Sequence, residues 1–250
     1  MSAPAELVTL PDADAVAQHA AERLVATLAE MPARGADVVL TGGGVGIGVL
    51  KAVRDSPGAE DIAWGAVHVW WGDERWVAAD DAERNDKQAR DALLDGLALT
   101  PANVHPIPAR RDGAAIDADA RSYADALARR AKERGDAGSV PAFDVLLLGL
   151  GPEGHVGSVF PHATGISDDA DTVVSVLDCP KPPPLRITLS LPAMRHARQV
   201  WIVTAGAEKA DAVTGILAGR PEDELPASGA RGLDLTLLLC DRAAAGQSTT

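Results

Sequence analysis

The chain has 250 residues, of which 46% are hydrophobic and 24% are charged, as is typical of a soluble globular protein and not of a disordered or fibrous one. This length fits one large domain or two small ones. The formal net charge is −13 and no run of Lys and Arg interrupts this acidity, which argues against DNA or RNA as the main partner. Two cysteines, Cys179 and Cys240, are too few for a disulfide scaffold or a four-cysteine zinc site.

The N-terminus has no basic segment followed by an apolar one, so no signal peptide is predicted. The longest apolar runs, such as 145–148 and 235–240, are far shorter than the roughly 20 residues that a membrane-spanning helix needs. We therefore expect a cytoplasmic protein that does not bind membranes.

Helical periodicity alternates with short apolar runs along the chain. Apolar residues recur at helical spacing from Val16 to Met31, behind a start signal at Pro11-Asp12. Buried strands are predicted over 37–41, 67–71, 143–148, 172–177, 186–189, 199–204 and 233–239. One further helix is predicted after the glycines that follow the strand over 37–41. Others are predicted over 83–97, 114–134 and 208–218.

Apolar strands separated by helices predict an α/β fold in which a mainly parallel sheet is covered by helices on both faces. Ligands bind such sheets beyond the carboxyl ends of the strands. We expect residues 1–243 to form a single domain without internal repeats, and residues 244–250 to form a flexible tail.

A glycine-rich segment, Thr41-Gly-Gly-Gly-Val-Gly-Ile-Gly48, follows the first of these strands. Glycines let backbone N–H groups converge on an anion, and a helix N-terminus adds positive potential. The segment lacks the Lys and Ser/Thr of a Walker loop, and it does not fit G-x-G-x-x-G. It predicts either an anion site built from Gly42, Gly43 and Gly44 or only a tight turn that needs the left-handed conformation of glycine.

Ionisable residues follow the second strand, in Trp71-Gly-Asp-Glu-Arg75 and the trailing Arg84-Asn85. The planar fork of an arginine donates two hydrogen bonds to a phosphate, so Arg75 is a candidate phosphate ligand. A solvated turn is the alternative interpretation.

The segment from Gly149 to Pro161 contains G-x-G-x-x-G after a buried strand, the spacing of a dinucleotide-binding turn. Such a site also needs a long helix after the third glycine, Gly154, but Pro161 interrupts it and Glu153 would repel a pyrophosphate. We interpret the segment as a glycine-rich turn that presents His155, whose ordinary pKa near neutrality suits proton transfer. A purely structural histidine is the alternative.

The last group comprises Arg186-Ile-Thr188 and Gly206-Ala-Glu-Lys209. A lysine at a helix start after a strand can bind a phosphate, or it can be an ordinary solvated side chain. Other chemistries lack their signatures, since the chain has neither the G-x-S-x-G of a serine hydrolase nor the H-E-x-x-H of a zinc enzyme.

In order and approximate spacing, these segments resemble those of the 6-phosphogluconolactonases, from about residue 38 to residue 213. The segment around His155 is the most specific, and Trp71-Gly-Asp-Glu-Arg75 comes next. The resemblance implies a Rossmann-like fold related to glucosamine-6-phosphate deaminase and ribose-5-phosphate isomerase. It also implies hydrolysis of 6-phospho-D-glucono-1,5-lactone to 6-phospho-D-gluconate in the oxidative pentose phosphate pathway.

The chain departs from the pattern of this family in its glycine segment, where the family often has Ser-Gly-Gly-Ser-Thr-Pro, and at Glu153, where Asp is common. The related deaminases continue from the histidine into Phe-Asn-Glu-Pro, whose Glu assists ring opening, whereas this chain has Val159-Phe-Pro161. This difference favours a lactonase over a deaminase-like isomerase. A non-catalytic sugar-phosphate-binding regulator is the other alternative, and His155 disfavours it because a binder needs no base.

We expect His155 to take a proton from a water molecule that attacks C1 of the lactone, and the N–H groups of Gly43 and Gly44 to hold the oxyanion. Asp73 either orients His155 or binds a sugar hydroxyl. No metal or other cofactor is expected, and a monomer is the favoured state. The remaining candidates for substrate contacts are Gly42, Gly154, Arg75, Arg186 and Lys209, the last three for the 6-phosphate.

Overall fold

The computed structural model describes residues 4–31 and 35–247, in which nine β-strands and six α-helices follow one another. The strands are β1 (Glu6–Leu10), β2 (Asp37–Leu40), β3 (His68–Trp71), β4 (Asp73–Arg75), β5 (Val145–Gly149), β6 (Val173–Val176), β7 (Arg186–Leu189), β8 (Gln199–Thr204) and β9 (Leu235–Asp241). The helices are α1 (Ala13–Ala29), α2 (Gly43–Arg54), α3 (Asn85–Ala92), α4 (Ile116–Arg134), α5 (Leu191–Met194) and α6 (Ala210–Ala218).

Six strands form a parallel sheet in the order β1-β9-β8-β5-β2-β3. Consecutive residues of a strand point to opposite faces, and all residues from Val145 to Leu148 of β5 are at most 1% exposed. Both faces of the sheet are therefore covered, which confirms the predicted α/β fold with a mainly parallel sheet.

The direction in which the chain adds strands reverses between β2 and β5. From β2 the chain continues to β3 on one side, whereas β5, β8 and β9 follow on the other side. The loops that leave the carboxyl ends of β2 and β5 consequently diverge and open a crevice, which is where open α/β sheets bind ligands. Thr41 and the turn after Gly149 lie at these two ends, and Thr41 Oγ1 accepts a hydrogen bond of 3.1 Å from the Gly149 N–H.

A second sheet of three antiparallel strands, in the order β4-β7-β6, stands beside this crevice. The sequence analysis predicted the strands over 172–177 and 186–189 but placed them in the parallel sheet, and this placement is wrong. No helix separates β6 from β7, so the short connection returns the chain antiparallel. The sequence analysis also missed β1, which pairs with β9 at the edge of the main sheet.

The helix predicted over 83–97 is shorter than expected. It begins at Asn85, where the N–H groups of Asn85 and Asp86 donate to the Glu74 carboxylate, and it ends at Ala92. At the start of α1, Asp12 accepts a hydrogen bond from the Ala15 N–H, as its start signal predicts.

The C-terminal segment continues beyond β9 as a turn. Ala244 is buried in the core, and residues 248–250 of the predicted tail lie outside the described residues. Within the described ranges, no helix is both long enough and apolar enough to cross a membrane.

Candidate active site

One cavity at the switch point brings together residues from all four segments that the sequence analysis singled out. Gly44 and Gly154 are the two predicted site residues that do not line it. The predicted residues in its wall are Gly42, Gly43, Asp73, Arg75, His155, Arg186 and Lys209.

The glycine segment forms the junction between β2 and α2. Gly42 precedes the helix, Gly43 has a φ of +81°, and no side chain among the described residues caps the helix N-terminus. A Cβ atom at Gly43 or Gly44 would meet nothing within 4 Å, so both face open space. Gly44 lines a second cavity that shares Gly42, Gly43 and Lys209 with the first. Free N–H groups at the start of a twelve-residue helix suit an anion.

Strand β4 positions Asp73 and Arg75. Alternation along the strand places these two side chains on one face and Glu74 on the other. Asp73 and Glu74 are 7% and 1% exposed, so the alternative of a solvated turn is wrong. The Asp73 carboxylate accepts a 2.6 Å hydrogen bond from Ser158 Oγ and lies 3.9 Å from Nη1 of Arg186. Among the described residues, it forms no hydrogen bond with His155.

The guanidinium of Arg75 is held through one of its three nitrogens. Its Nη1 donates to the backbone oxygen of Glu83 and to Oδ1 of Asn85, and its buried Nε has no partner among the described residues. Burial raises the pKa of Glu74, on the opposite face, to about 7, against the opposing effects of the Arg84 charge and of three backbone N–H donors.

The turn after β5 is shaped around the imidazole of His155. A Cβ atom at Gly151 would lie 1.9 Å from Nδ1 of His155, and one at Gly154, where φ is +86°, would lie 2.0 Å from Leu225. The ring stacks on Phe160 with centroids 4.2 Å apart. Gly151 therefore makes room for the histidine ring and Gly154 for Leu225, which explains these two glycines of the motif without a dinucleotide.

His155 is a weaker base than the sequence analysis expected. Burial, and after it the ammonium of Lys181, lower the pKa of His155 to about 4, although the charges of Glu153 and Asp73 oppose this shift. The expectation of a pKa near neutrality is therefore wrong for the free protein, because sequence alone does not reveal burial.

Glu153 stands beside the imidazole. Nδ1 of His155 lies 3.3 Å from Oε2 of Glu153, but the two are not aligned for a hydrogen bond. Burial alone would raise the pKa of Glu153, but a backbone N–H, His155 and Lys181 bring it below its usual value. Glu153, and not Asp73, is thus the carboxylate next to the histidine.

Lys181 is a cavity residue that the sequence analysis missed. It lies in the proline-rich loop between β6 and β7, and its Nζ is 3.2 Å from Oε1 of Glu153. Arg186 holds this loop by donating hydrogen bonds to the backbone oxygens of Lys181, Pro182 and Pro183. Nothing in the sequence pattern around 179–184 distinguishes a cavity lysine from a solvated one.

Lys209 lies in the turn before α6, with its side chain 18% exposed. Its nearest carboxylate among the described residues is Glu208, at 3.9 Å. Burial lowers the pKa of Lys209, which indicates an ammonium that is partly removed from water. The charge of Lys209 is therefore only weakly neutralised by the carboxylates of the described residues.

The described residues contain no group of three or more His, Cys, Asp and Glu side chains arranged to hold a metal ion. The cavity instead combines His155 with one carboxylate, that of Asp73, and with four cationic side chains, and Glu153 stands beside the histidine. The cationic side chains are those of Arg75, Lys181, Arg186 and Lys209.

A family model described as glucosamine-6-phosphate isomerases/6-phosphogluconolactonase matches residues 11–238. The chain belongs to this family. A protein of Streptomyces coelicolor named 6-phosphogluconolactonase is 46% identical to it over 99% of this chain and 96% of its own length. The resemblance inferred from the sequence segments is thereby confirmed.

Solved structures of the family share the fold. A 6-phosphogluconolactonase from Trypanosoma brucei is similar with a TM-score of 0.82 and 26% identity, over 98% of this chain and 99% of its own. A monomeric glucosamine-6-phosphate deaminase matches with a TM-score of 0.78 and 22% identity, over 97% of this chain and 100% of its own. The relation to ribose-5-phosphate isomerase stays a prediction.

Proposed function

We propose that the protein hydrolyses 6-phospho-D-glucono-1,5-lactone to 6-phospho-D-gluconate in the oxidative pentose phosphate pathway, as a cytoplasmic enzyme. The observation that carries this proposal is the convergence of one partly buried imidazole, that of His155, with the cationic side chains of Arg75, Lys181 and Lys209 in one cavity. A histidine suits the removal of a proton from water, and the cations suit a phosphorylated substrate. Such a local cluster is needed because the whole protein, at a net charge of −13, repels anions.

His155 is assigned as the general base. Its Nδ1 faces the anionic Glu153, so the neutral ring carries its proton on Nδ1 and leaves Nε2 free to accept one. Nε2 takes a proton from water as the water oxygen bonds to C1 of the lactone. The bond from C1 to the ring oxygen then breaks, and that oxygen receives the proton from His155. General-base catalysis of this kind supplies about 10²–10⁴-fold.

The phosphate is assigned to Lys209 and the N-terminus of α2. Lys209 shares a cavity with Gly43 and Gly44, so its ammonium and the free N–H groups there face the same anion. This replaces our first assignment of those N–H groups to the oxyanion. Arg75 and Lys181 share the cavity with His155 and supply the positive charge for the oxyanion.

Two related functions are disfavoured. A deaminase of this fold carries a glutamate a few residues after its histidine, whereas the corresponding Val159 and Phe160 are apolar and buried. A regulator that only binds a sugar phosphate has no use for a base packed into the ligand cavity.

The test compares purified protein with the spontaneous reaction on freshly prepared 6-phospho-D-glucono-1,5-lactone, with and without a chelator. We expect turnover that the chelator leaves unchanged, and an at least 100-fold lower kcat in His155→Gln. Ammonia release from glucosamine 6-phosphate is measured in parallel. Ammonia release without lactone hydrolysis would replace the proposal by deamination, and tight binding without turnover would replace it by a binding role.

A further inference from the structure

Asn85 joins three of the segments that form the cavity. It is the first residue of α3 and is 2% exposed. Its Nδ2 donates a 2.9 Å hydrogen bond to the backbone oxygen of Asp73, and its Oδ1 accepts a 3.0 Å hydrogen bond from Nη1 of Arg75. One amide thus bonds both functional residues of β4.

These contacts fix which way the amide points. Its Nδ2 is also 3.4 Å from Oδ1 of Asp73, so the donor faces two oxygens while the acceptor faces a guanidinium. A flipped amide would place its oxygen against the oxygens of Asp73 and its NH₂ group against Arg75, and both contacts would be repulsive. The acceptor of Asn85 is therefore committed to Arg75.

The third contact is with the glycine segment. A Cβ atom at Gly42 would lie 1.9 Å from Oδ1 of Asn85 and 2.6 Å from its Cγ. The amide consequently lies directly against the Cα of Gly42, at the residue that precedes α2. Glycine is required here by the side chain of Asn85, since Gly42 itself has an ordinary negative φ.

The backbone of Asn85 is held from the opposite face of β4. Glu74 accepts hydrogen bonds of 2.8 Å from the N–H groups of Asn85 and Arg75, and one of 2.9 Å from that of Asp86. Its carboxylate also lies 3.5 Å from Nη2 of the buried Arg84. The amide therefore projects into the cavity from a fixed point.

We propose that Asn85 is a positioning residue, which holds the guanidinium of Arg75 in place between the glycine segment and Asp73 before substrate arrives. Arginine has a long side chain that loses conformational freedom when it binds an anion, and this loss is smaller when the side chain is already held. Nη1 is taken by Asn85 and Glu83 and Nε is buried, so Nη2 is the donor left for substrate. The inference rests on the proposed lactone hydrolysis.

A double-mutant cycle with Asn85→Ala and Arg75→Ala tests the inference. The readouts are kcat and KM for the phosphorylated lactone, and Kd for 6-phosphogluconate by calorimetry. We expect Asn85→Ala to lower kcat/KM about 10- to 100-fold, as for a lost charge-assisted hydrogen bond. In the Arg75→Ala background, Asn85→Ala should lower kcat/KM less than about 2-fold, because the guanidinium that Asn85 holds is already absent.

Asn103→Ala is the matched control. It removes an amide that is bonded to the Gly65 oxygen outside the cavity.

The division between kcat and KM separates positioning from a merely structural effect. Asn85→Ala should change kcat and KM in the same proportion as Arg75→Ala does, whereas a smaller folded fraction lowers the apparent kcat and leaves KM unchanged. Losses that multiply in the double variant, a division between kcat and KM in Asn85→Ala unlike that in Arg75→Ala, or full activity would each overturn the inference. Asn85→Ser serves in the cycle if the alanine variant does not fold.

Absence of turnover by the wild type would refute the proposed function. The same double-mutant cycle, measured as Kd for 6-phosphogluconate, would then still test the role of Asn85.

Discussion

At the scale of single residues, the chemistry depends on the charge state of His155. Burial and Lys181 lower its pKa to about 4 in the free protein, so the ring is neutral and able to accept a proton at every pH well above 4. The negative charge of bound 6-phosphogluconate would offset the charge of Lys181 and thereby favour the protonated ring. We predict that His155 does not titrate between pH 7.5 and 5.5 in the free protein, and that 6-phosphogluconate raises its pKa.

The measurement is an NMR titration of the histidine ring signals, with His155→Gln to assign the signal of His155. Direct titration is preferable to rate profiles, because a sugar phosphate itself has a pKa of about 6 that shapes kcat/KM. A midpoint near 6.5 in the free protein would mean that the imidazole is more hydrated than its packing against Gly151 and Phe160 indicates.

Lys209 should act only through the phosphate. We expect Lys209→Ala to lower kcat/KM for the phosphorylated lactone about 10- to 100-fold, the size of one charge-assisted hydrogen bond, and to leave the unphosphorylated lactone nearly unaffected. Lys132→Ala, which makes the same charge change at an exposed position of α4, should affect neither substrate. An equal fractional loss on both lactones would place Lys209 at the reacting carbonyl or in the fold.

At the scale of elements, the turn after β5 is built to accommodate one ring. An added methyl group at Gly151 would have to displace the imidazole, because the Cβ position lies 1.9 Å from Nδ1 and 2.1 Å from Cε1 of His155. We expect Gly151→Ala to lower kcat at least 10-fold while the far-UV circular dichroism spectrum stays that of the wild type. Gly96→Ala is the control, since a Cβ at Gly96 meets nothing within 4 Å. Wild-type kcat in Gly151→Ala would show that the ring can move without cost.

At the scale of the whole molecule, function and stability occupy opposite ends of the parallel sheet. At the amino ends of β2 and β5, the buried Asp37 carboxylate lies 2.6 Å from Nη1 of Arg134 and 2.8 Å from Nη2 of Arg130. Burial would raise the pKa of Asp37, but these two arginines and Trp70 lower it, so the side chain is charged at neutral pH. The candidate active site lies at the carboxyl ends of the same strands.

We predict that Asp37→Asn lowers the free energy of unfolding by about 3–5 kcal/mol, since it removes the fully buried carboxylate that two partly buried arginines share. Urea unfolding measures this effect, and kcat/KM of the folded variant should stay within about 2-fold of wild type. Asp55→Asn, which breaks an exposed pair with Arg54, should leave the free energy of unfolding nearly unchanged. An activity loss as large as the stability loss would mean that the two ends of the sheet are coupled.

The local pattern of the sequence determined the features that depend on neighbouring residues. The strands predicted over 186–189 and 199–204 agree with β7 and β8, because short apolar runs with clear ends allow few alternatives. The sequence also predicted the glycine-rich turn that carries His155, because glycines placed directly after a strand indicate a turn that presents a side chain at the strand end. Family membership followed from several such segments in order, and the family model confirms it.

Tertiary structure alone decided the features that depend on distant contacts and on burial. The chain pairs β4 with β7 and β1 with β9 across long sequence separations, which no local periodicity encodes. Lys181 reaches the cavity because Arg186 holds its loop, and Asn85 gains its partners because Glu74 fixes the start of α3. The lowered pKa of His155 also depends on the tertiary structure, since a side chain loses its hydrating water only when residues from several elements pack around it.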